Sequence, residues 1–297
     1  MEVRNMRKRA ISVIMALIIS VLIGNNPVLA KVKIGNVATV APSGGDYMDP
    51  AVAMADLAGW CGVPSATNPC LLMIMPGSYD VGSSSVVMHE FVDIEGSGEN
   101  VTTIIGDIGT TGFLRQGVVV GASNAEIRFL TIVNNASSGT DAVGISYEFT
   151  SPKMLHVSAT ASGGASTNVA IYVNHGGSAP LTLKNVTATA SGGTHSYGIE
   201  YVDCVPTLIN VIASASGGSV QSYGVFDSND AGGHSTIEHS VLSGTTGSLL
   251  SVGFGSAYIA STRLEGVVAV GGDPTNPPPK CAGVYDAAFV FYASSCP

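Results

Sequence analysis

Charge is what this sequence has least of: 12 Lys and Arg and 21 Asp and Glu among 297 residues, 11% in all. Aromatics are scarce too, 6% with a single Trp, and the formal charge is −9. No basic stripe exists, which excludes a nucleic-acid binder. Neither a C-x-x-C nor an H-E-x-x-H spacing occurs, so the commonest zinc sites are excluded. No Ser sits in G-x-S-x-G, which removes the nucleophile elbow of serine hydrolases. What remains is 45% hydrophobic, enough to exclude disorder, and carries 37 Gly.

The one long apolar run is at the start. Arg4, Arg7, Lys8 and Arg9 precede Ile11–Ile23, and Val28-Leu29-Ala30 follows a Gly-Asn-Asn-Pro break. That order is a secretory leader with cleavage after Ala30. The apolar stretch gives roughly 20 Å of helix, short of the ~30 Å bilayer core, so no membrane span is expected after cleavage. Without residues 1–30 the chain keeps eight basic and twenty acidic residues, a charge of −12. Such a surface repels polyanions unless a cation bridges them, and a neutral polymer meets no such barrier. In an exported chain the five cysteines read as disulfide candidates, Cys61 with Cys70 and Cys281 with Cys296, leaving Cys204 as a small buried hydrophobe.

The middle of the chain repeats. Met154-Leu-His-Val-Ser-Ala-Thr-Ala-Ser-Gly-Gly164 recurs from Leu183 to Gly193 and from Leu208 to Gly218. Each copy is followed by a second element: Val169-Ala-Ile171, Tyr197-Gly-Ile199 and Tyr223-Gly-Val225. Val-Thr-Ala-Thr-Ala-Ser alternates with period two, the spacing of strands rather than helices. Short strands repeated at this period and stacked each on its counterpart make a parallel β-helix. Extra residues fall at Asn174–Ala179 and Ser228–Ser235, and Pro152 and Pro206 sit where a missing donor does no harm.

Stacking sets up columns. His156, Asn185 and Asn210 share one position and are expected to form a structural ladder satisfying backbone groups inside a bend. Ile145, Ile171, Ile199 and Val225 must point inward. Alternation then turns Ser146, Tyr172, Glu200 and Phe226 outward, with Glu148, Asn174, Val202 and Ser228 two places on. Rungs lie about 4.8 Å apart, so Tyr172, Glu200 and Phe226 form a continuous outer strip. Aromatic faces beside a carboxylate suit a sugar, and Tyr172, Glu200, Phe226, Glu148 and Asn174 are the glycan-binding candidates. Carboxyl pairs for glycoside hydrolysis need about 5–10 Å separation, which Glu148 with Glu200, or Glu200 with Asp227, meets across rungs. No cofactor is implied. Calcium is considered only at Asp227-Ser-Asn-Asp230, which lacks the Gly and distal Glu of an EF-hand loop.

Near the N-terminus, Asp49-Pro50 starts a helix through Trp60, with Met54, Leu57 and Trp60 plugging the open end of the coil. The motifs Val40-Ala-Pro-Ser-Gly-Gly-Asp-Tyr47, Met75-Pro-Gly-Ser-Tyr79, Ile94-Glu-Gly-Ser-Gly98 and Ile127-Arg-Phe-Leu-Thr-Ile-Val-Asn134 follow in order. Over 37–147 this resembles the opening half of bacterial pectinesterases, within the pectin-lyase-like right-handed β-helix proteins. The resemblance implies an all-β, right-handed parallel β-helix with a short N-terminal capping helix. It also implies an esterase with a Gln-Asp-Thr motif and an Asp-Phe-Ile-Phe-Gly strand, and this sequence contains neither. Only Gln116 and Gln221 exist, and neither precedes an Asp.

The expected organisation is a leader at 1–30 and one domain at 31–297: cap 31–70, coils 71–270 and C-terminal cap 271–297. The expected role is an exported, non-catalytic protein binding a polysaccharide or cell-surface glycan, or serving as a structural surface element, in periplasm, at the surface or beyond. The alternatives are a carbohydrate-active enzyme with relocated carboxylates and a spike-like homotrimer.

Overall fold

The computed structural model describes residues 36–111, 115–150, 153–174, 181–230, 232–271 and 276–297. The leader at 1–30, Pro152 and all of the Asn174–Ala179 insertion beyond Asn174 lie outside the described residues. The chain is all-β, a solenoid of about 8 turns built mostly of parallel strands, with very little helix. Two sheets face each other. The first runs through Glu126–Asn135, Lys153–Ser162, Thr182–Ser191 and Thr207–Ser216. The second runs through Asp141–Glu148, Thr167–Asn174, His195–Val202, Gln221–Asn229 and Gly247–Gly253.

The repeats stack in register without slippage. Val157, Val186 and Val211 form one column of the first sheet, and Ala159, Ala188 and Ala213 the next. Ile145, Ile171, Ile199, Val225 and Leu249 form the facing column. All of these side chains are buried, each large one contributing roughly 1.5–3 kcal/mol by leaving water. A fourth column explains the Gly of the second repeat element. A Cβ on Gly198 would lie 2.8 Å from Ser214 N and 3.1 Å from Ala188 O, backbone of the opposite sheet. The coil is too thin there for any side chain beyond the methyl of Ala170, which sits fully buried at the equivalent place. The same thinness demands alanine in the facing column, hence Thr-Ala-Thr-Ala-Ser.

The expected ladder forms at a corner of the coil, but it does not serve backbone groups inside the bend. His156, Asn185 and Asn210 have φ of 52°, 55° and 53°, the left-handed conformation that Asn adopts more readily than most residues. This kink throws the side chains outward from the corner. Asn185 Nδ2 then donates to His156 Nε2 at 3.0 Å and Asn210 Nδ2 to Asn185 Oδ1 at 2.7 Å. The ladder thus bonds to itself along the axis, and Phe129 extends it by stacking on His156 at 5.3 Å.

At the N-terminal end, Asp49 caps a helix at Pro50–Ala55, accepting from Ala51 N and Val52 N. A second short helix, Leu57–Trp60, follows. The single helix of the sequence reading breaks at Asp56, whose carboxylate takes the Tyr47 hydroxyl at 2.6 Å. Met54, Leu57 and Trp60 are buried against the first coils, and Trp60 Nε1 donates to Ala53 O at 2.8 Å. Disulfides join Cys61 to Cys70 and Cys281 to Cys296, while Cys204 is free and buried. The short loops they close are worth about 2–3 kcal/mol each. An antiparallel pairing of Val284–Asp286 with Phe291–Tyr292 ends the stack.

Candidate functional site

Ser146, Tyr172, Glu200, Phe226 and Leu250 stand in one row on the outer side of the second sheet. Glu148, Asn174, Val202 and Ser228 form the row beside it. The strip is not open, however. Tyr172 and Glu200 are each only 5% exposed. Arg115, from the segment before the strand Gly117–Val120, lies across them. Its guanidinium carbon is 4.8 Å from the Tyr172 ring centre. Its Nη1 donates to Glu200 Oε2, and its Nε lies 3.4 Å from Asp141 Oδ2. A planar cation on an aromatic face with a carboxylate at either side is a strong arrangement.

Three carboxyl groups thus share one cation. The third, Glu148, accepts the backbone N–H of Arg115 at 3.4 Å through Oε1 and lies beside the Asn174 amide. Its other oxygen is buried with no hydrogen-bond partner. Burial raises the Glu148 carboxyl above its ordinary range, against the pull of Arg115 and Asn174. Burial likewise raises Glu200, outweighing the attraction of Arg115. Desolvation pulls Arg115 down, but Glu200 and Asp141 more than offset it and leave the guanidinium raised. Beside the clamp is a cleft of about 470 Å³, bordered by Thr110, Arg115, Gln116, Val120, Ser146 and Glu148.

Farther along the same face is an aromatic cluster separate from the core: Tyr172, Tyr197 and Tyr223 with Phe226 packed on it. Tyr197 stacks on Phe226 at 4.7 Å, and its hydroxyl donates to Gln221 Oε1 at 3.0 Å. Strict alternation from Ile199 would turn Tyr197 inward. The Gly198 position instead breaks the alternation, so Tyr197 and Tyr223 join the outer side.

Other readings separate in space. Glu200 faces out while Asp227 is buried in the column behind it, opposite Tyr201, so those two carboxyls do not form a pair across one cleft. Asp227 and Asn229 are buried and Asp230 is exposed. Among the described residues no group of three or more His, Cys, Asp or Glu is placed to hold a metal. Arg115, Gln116 and Asp141 are absent from the sequence-derived candidates. Arg115 and Gln116 lie outside the repeats, Asp141 starts the strand that stacks on Thr167–Asn174, and Arg115 meets a partner 85 residues away.

No family model and no curated protein matches this chain. Solved structures do. A pectin methylesterase from Erwinia chrysanthemi superposes with a TM-score of 0.61, covering 88% of this chain and 91% of its own at 12% identity. The carrot enzyme gives 0.60 over 86% and 78% at 14% identity. The fold is that of the pectin methylesterases. A further structure of this kind, at 0.57 and 12% identity over 85% and 90%, is in complex with a hexasaccharide. At such identities the likeness carries the fold and no more. It extends the resemblance from the first half of the chain to nearly all of it. No helix among the described residues is long and apolar enough to cross a membrane.

Proposed function

We propose that this is an exported β-helix protein that binds a neutral polysaccharide, without turning it over, at the cleft between Gln116 and Glu148. The observation that carries the reading is the cleft itself, bordered by the half-buried Glu148 carboxyl and the exposed Gln116 amide. A sugar hydroxyl is a neutral donor for the Glu148 carboxyl, and the exposed Gln116 amide offers both donor and acceptor beside it. Glu200 and Asp141 are engaged by Arg115, so they hold the clamp rather than stand ready as acid and base. Three carboxyls around one cation disfavour an anionic polymer. The relatives in fold include a protein in complex with a hexasaccharide, which supports a carbohydrate and names none.

The test is a panel of neutral and acidic glycans, run beside assays for reducing ends, unsaturated products and released methanol. Binding to a neutral glycan that drops at least tenfold in Glu148→Gln and Gln116→Ala, with no turnover, supports the proposal. A second reading rests on the same burial of Glu148: a raised carboxyl in a cleft is suited to be a general acid. Turnover lost in Glu148→Gln would establish that enzyme and end the first reading.

A further inference from the structure

Inside the coil, behind the outer row, the column Tyr147, Val173, Tyr201, Asp227 and Ser251 changes from apolar to acidic. Asp227 and Asn229 are each 1% exposed, and an oxygen of each, Oδ1 in both, is buried with no hydrogen-bond partner. The other Asp227 oxygen receives the Ser251 hydroxyl at 3.4 Å. The Tyr201 hydroxyl is hydrogen-bonded to Asp227 and lies 2.8 Å from the Ser235 hydroxyl, to which it is also bonded. The remaining neighbour is Cys204, whose backbone carbonyl is held by Asn229 Nδ2 at 3.1 Å.

Those groups come from the strands on either side of Asp227 and the turn after Tyr201, where Asp203 adds a second acid beside Cys204; among them none is basic. A carboxylate kept dry, with one oxygen unpaired and no cation beside it, costs several kcal/mol, and proteins avoid that state by keeping the proton. We propose that Asp227 is a proton-operated lock. Protonated, it sits neutral among the Tyr201, Ser235 and Ser251 hydroxyls and keeps the coils around Tyr201–Ser251 closed. Ionised, it draws water in, loosens the segment held through Asn229, and uncovers Cys204.

Burial holds the Asp227 carboxyl up at about 7 against 3.8 when free. A raised acid contributes stability that is complete below its unfolded value and is lost as pH rises through the folded one. The folding equilibrium should therefore weaken by up to roughly a thousandfold between pH ~4 and pH ~8. Cys204, the free cysteine, is a built-in reporter: 4% exposed and pushed up to about 12 by burial, it is inert while the lock is closed.

The experiment is iodoacetamide labelling of the full exported chain with both disulfides intact, at pH 5.5, 7.0 and 8.5. Rates are normalised to a cysteine peptide at each pH. Wild-type protein should gain at least tenfold in normalised rate across this range and lose it on re-acidification, while Asp227→Asn stays flat. Should Asp227→Asn fail to fold, Ser251→Ala serves instead: loss of its donor moves the opening midpoint to higher pH. Equal pH profiles in wild type and in whichever variant folds overturn the proposal. So does suppression of opening at pH 8.5 by millimolar calcium, which would make the cluster a cation site.

Discussion

Arg115 and Arg128 occupy opposite faces of the coil, and each lies among three carboxyl groups. Their own exposure is nearly identical, 19% and 20% of the side chain. Their partners differ. Glu200 and Asp141 are 6% and 13% exposed, whereas Asp93, Glu95 and Glu126 are 39%, 31% and 26% exposed. Arg128 belongs to a solvated network in which water replaces any lost bond. Among the described residues Arg115 is the cation bonded to a carboxylate that has given up its water, and it also packs against an aromatic ring. Burial of the partner, not the count of ion pairs, decides what an arginine is worth.

That contrast can be broken most directly by truncation. Arg115→Ala should cost about 3 kcal/mol in denaturant unfolding, because Glu200 is left buried and unpaired. Arg128→Ala should cost at most about 1 kcal/mol; equal losses would erase the distinction. Arg115→Lys comes next. It keeps the charge but gives up the fork and the stacking on Tyr172, so an intermediate loss of about 1–2 kcal/mol is expected. Salt sharpens the comparison without changing its sign. In 1 M NaCl, where the Debye length is about 3 Å, the Arg128→Ala deficit should vanish while most of the Arg115→Ala deficit persists. A smaller effect concerns Glu148. Its raised carboxyl contributes stability that is complete in acid and lost as pH rises through its shifted value. Glu148→Gln should therefore flatten that part of the curve of unfolding midpoint against pH. The smallest effect belongs to the Ser/Thr rows of the first sheet. Thr189, bonded to Ser214 at 3.0 Å on an outer face, should tolerate Thr189→Ala within about 0.5 kcal/mol in the same unfolding assay.

Most of the fold was legible because a solenoid writes its geometry several times over. Once Val157, Val186 and Val211 are aligned, the register of every neighbouring position follows, and the Ile145 column with it. The site was legible only in part. Tyr172, Glu200, Phe226, Glu148 and Asn174 could be placed in rows from the repeat, but their exposure could not. What covers Tyr172 and Glu200 is Arg115, a side chain outside the repeats that acts through a contact with no local signature. Tyr197 was hidden for another reason. The period of two fails at Gly198, where the thin coil forces two successive residues toward the interior. The His156 ladder misled similarly: polarity pointed to an inward role, but left-handed φ values turn those side chains to the outside.

The reach of Arg115 has a consequence for the length of the molecule. Ser146, Tyr172 and Glu200 lie on successive rungs, so the guanidinium spans a fixed number of them before it meets its carboxylate. Loss of the coil that carries Glu200 would slide Phe226 into its place and leave the cation facing a ring instead of an acid. Gain of a coil at that point would put Glu200 out of reach. A stack of near-identical repeats has nothing in its backbone to stop it from growing or shrinking by one. This arginine works as a tally mark, tying the number of coils to the integrity of the outer face.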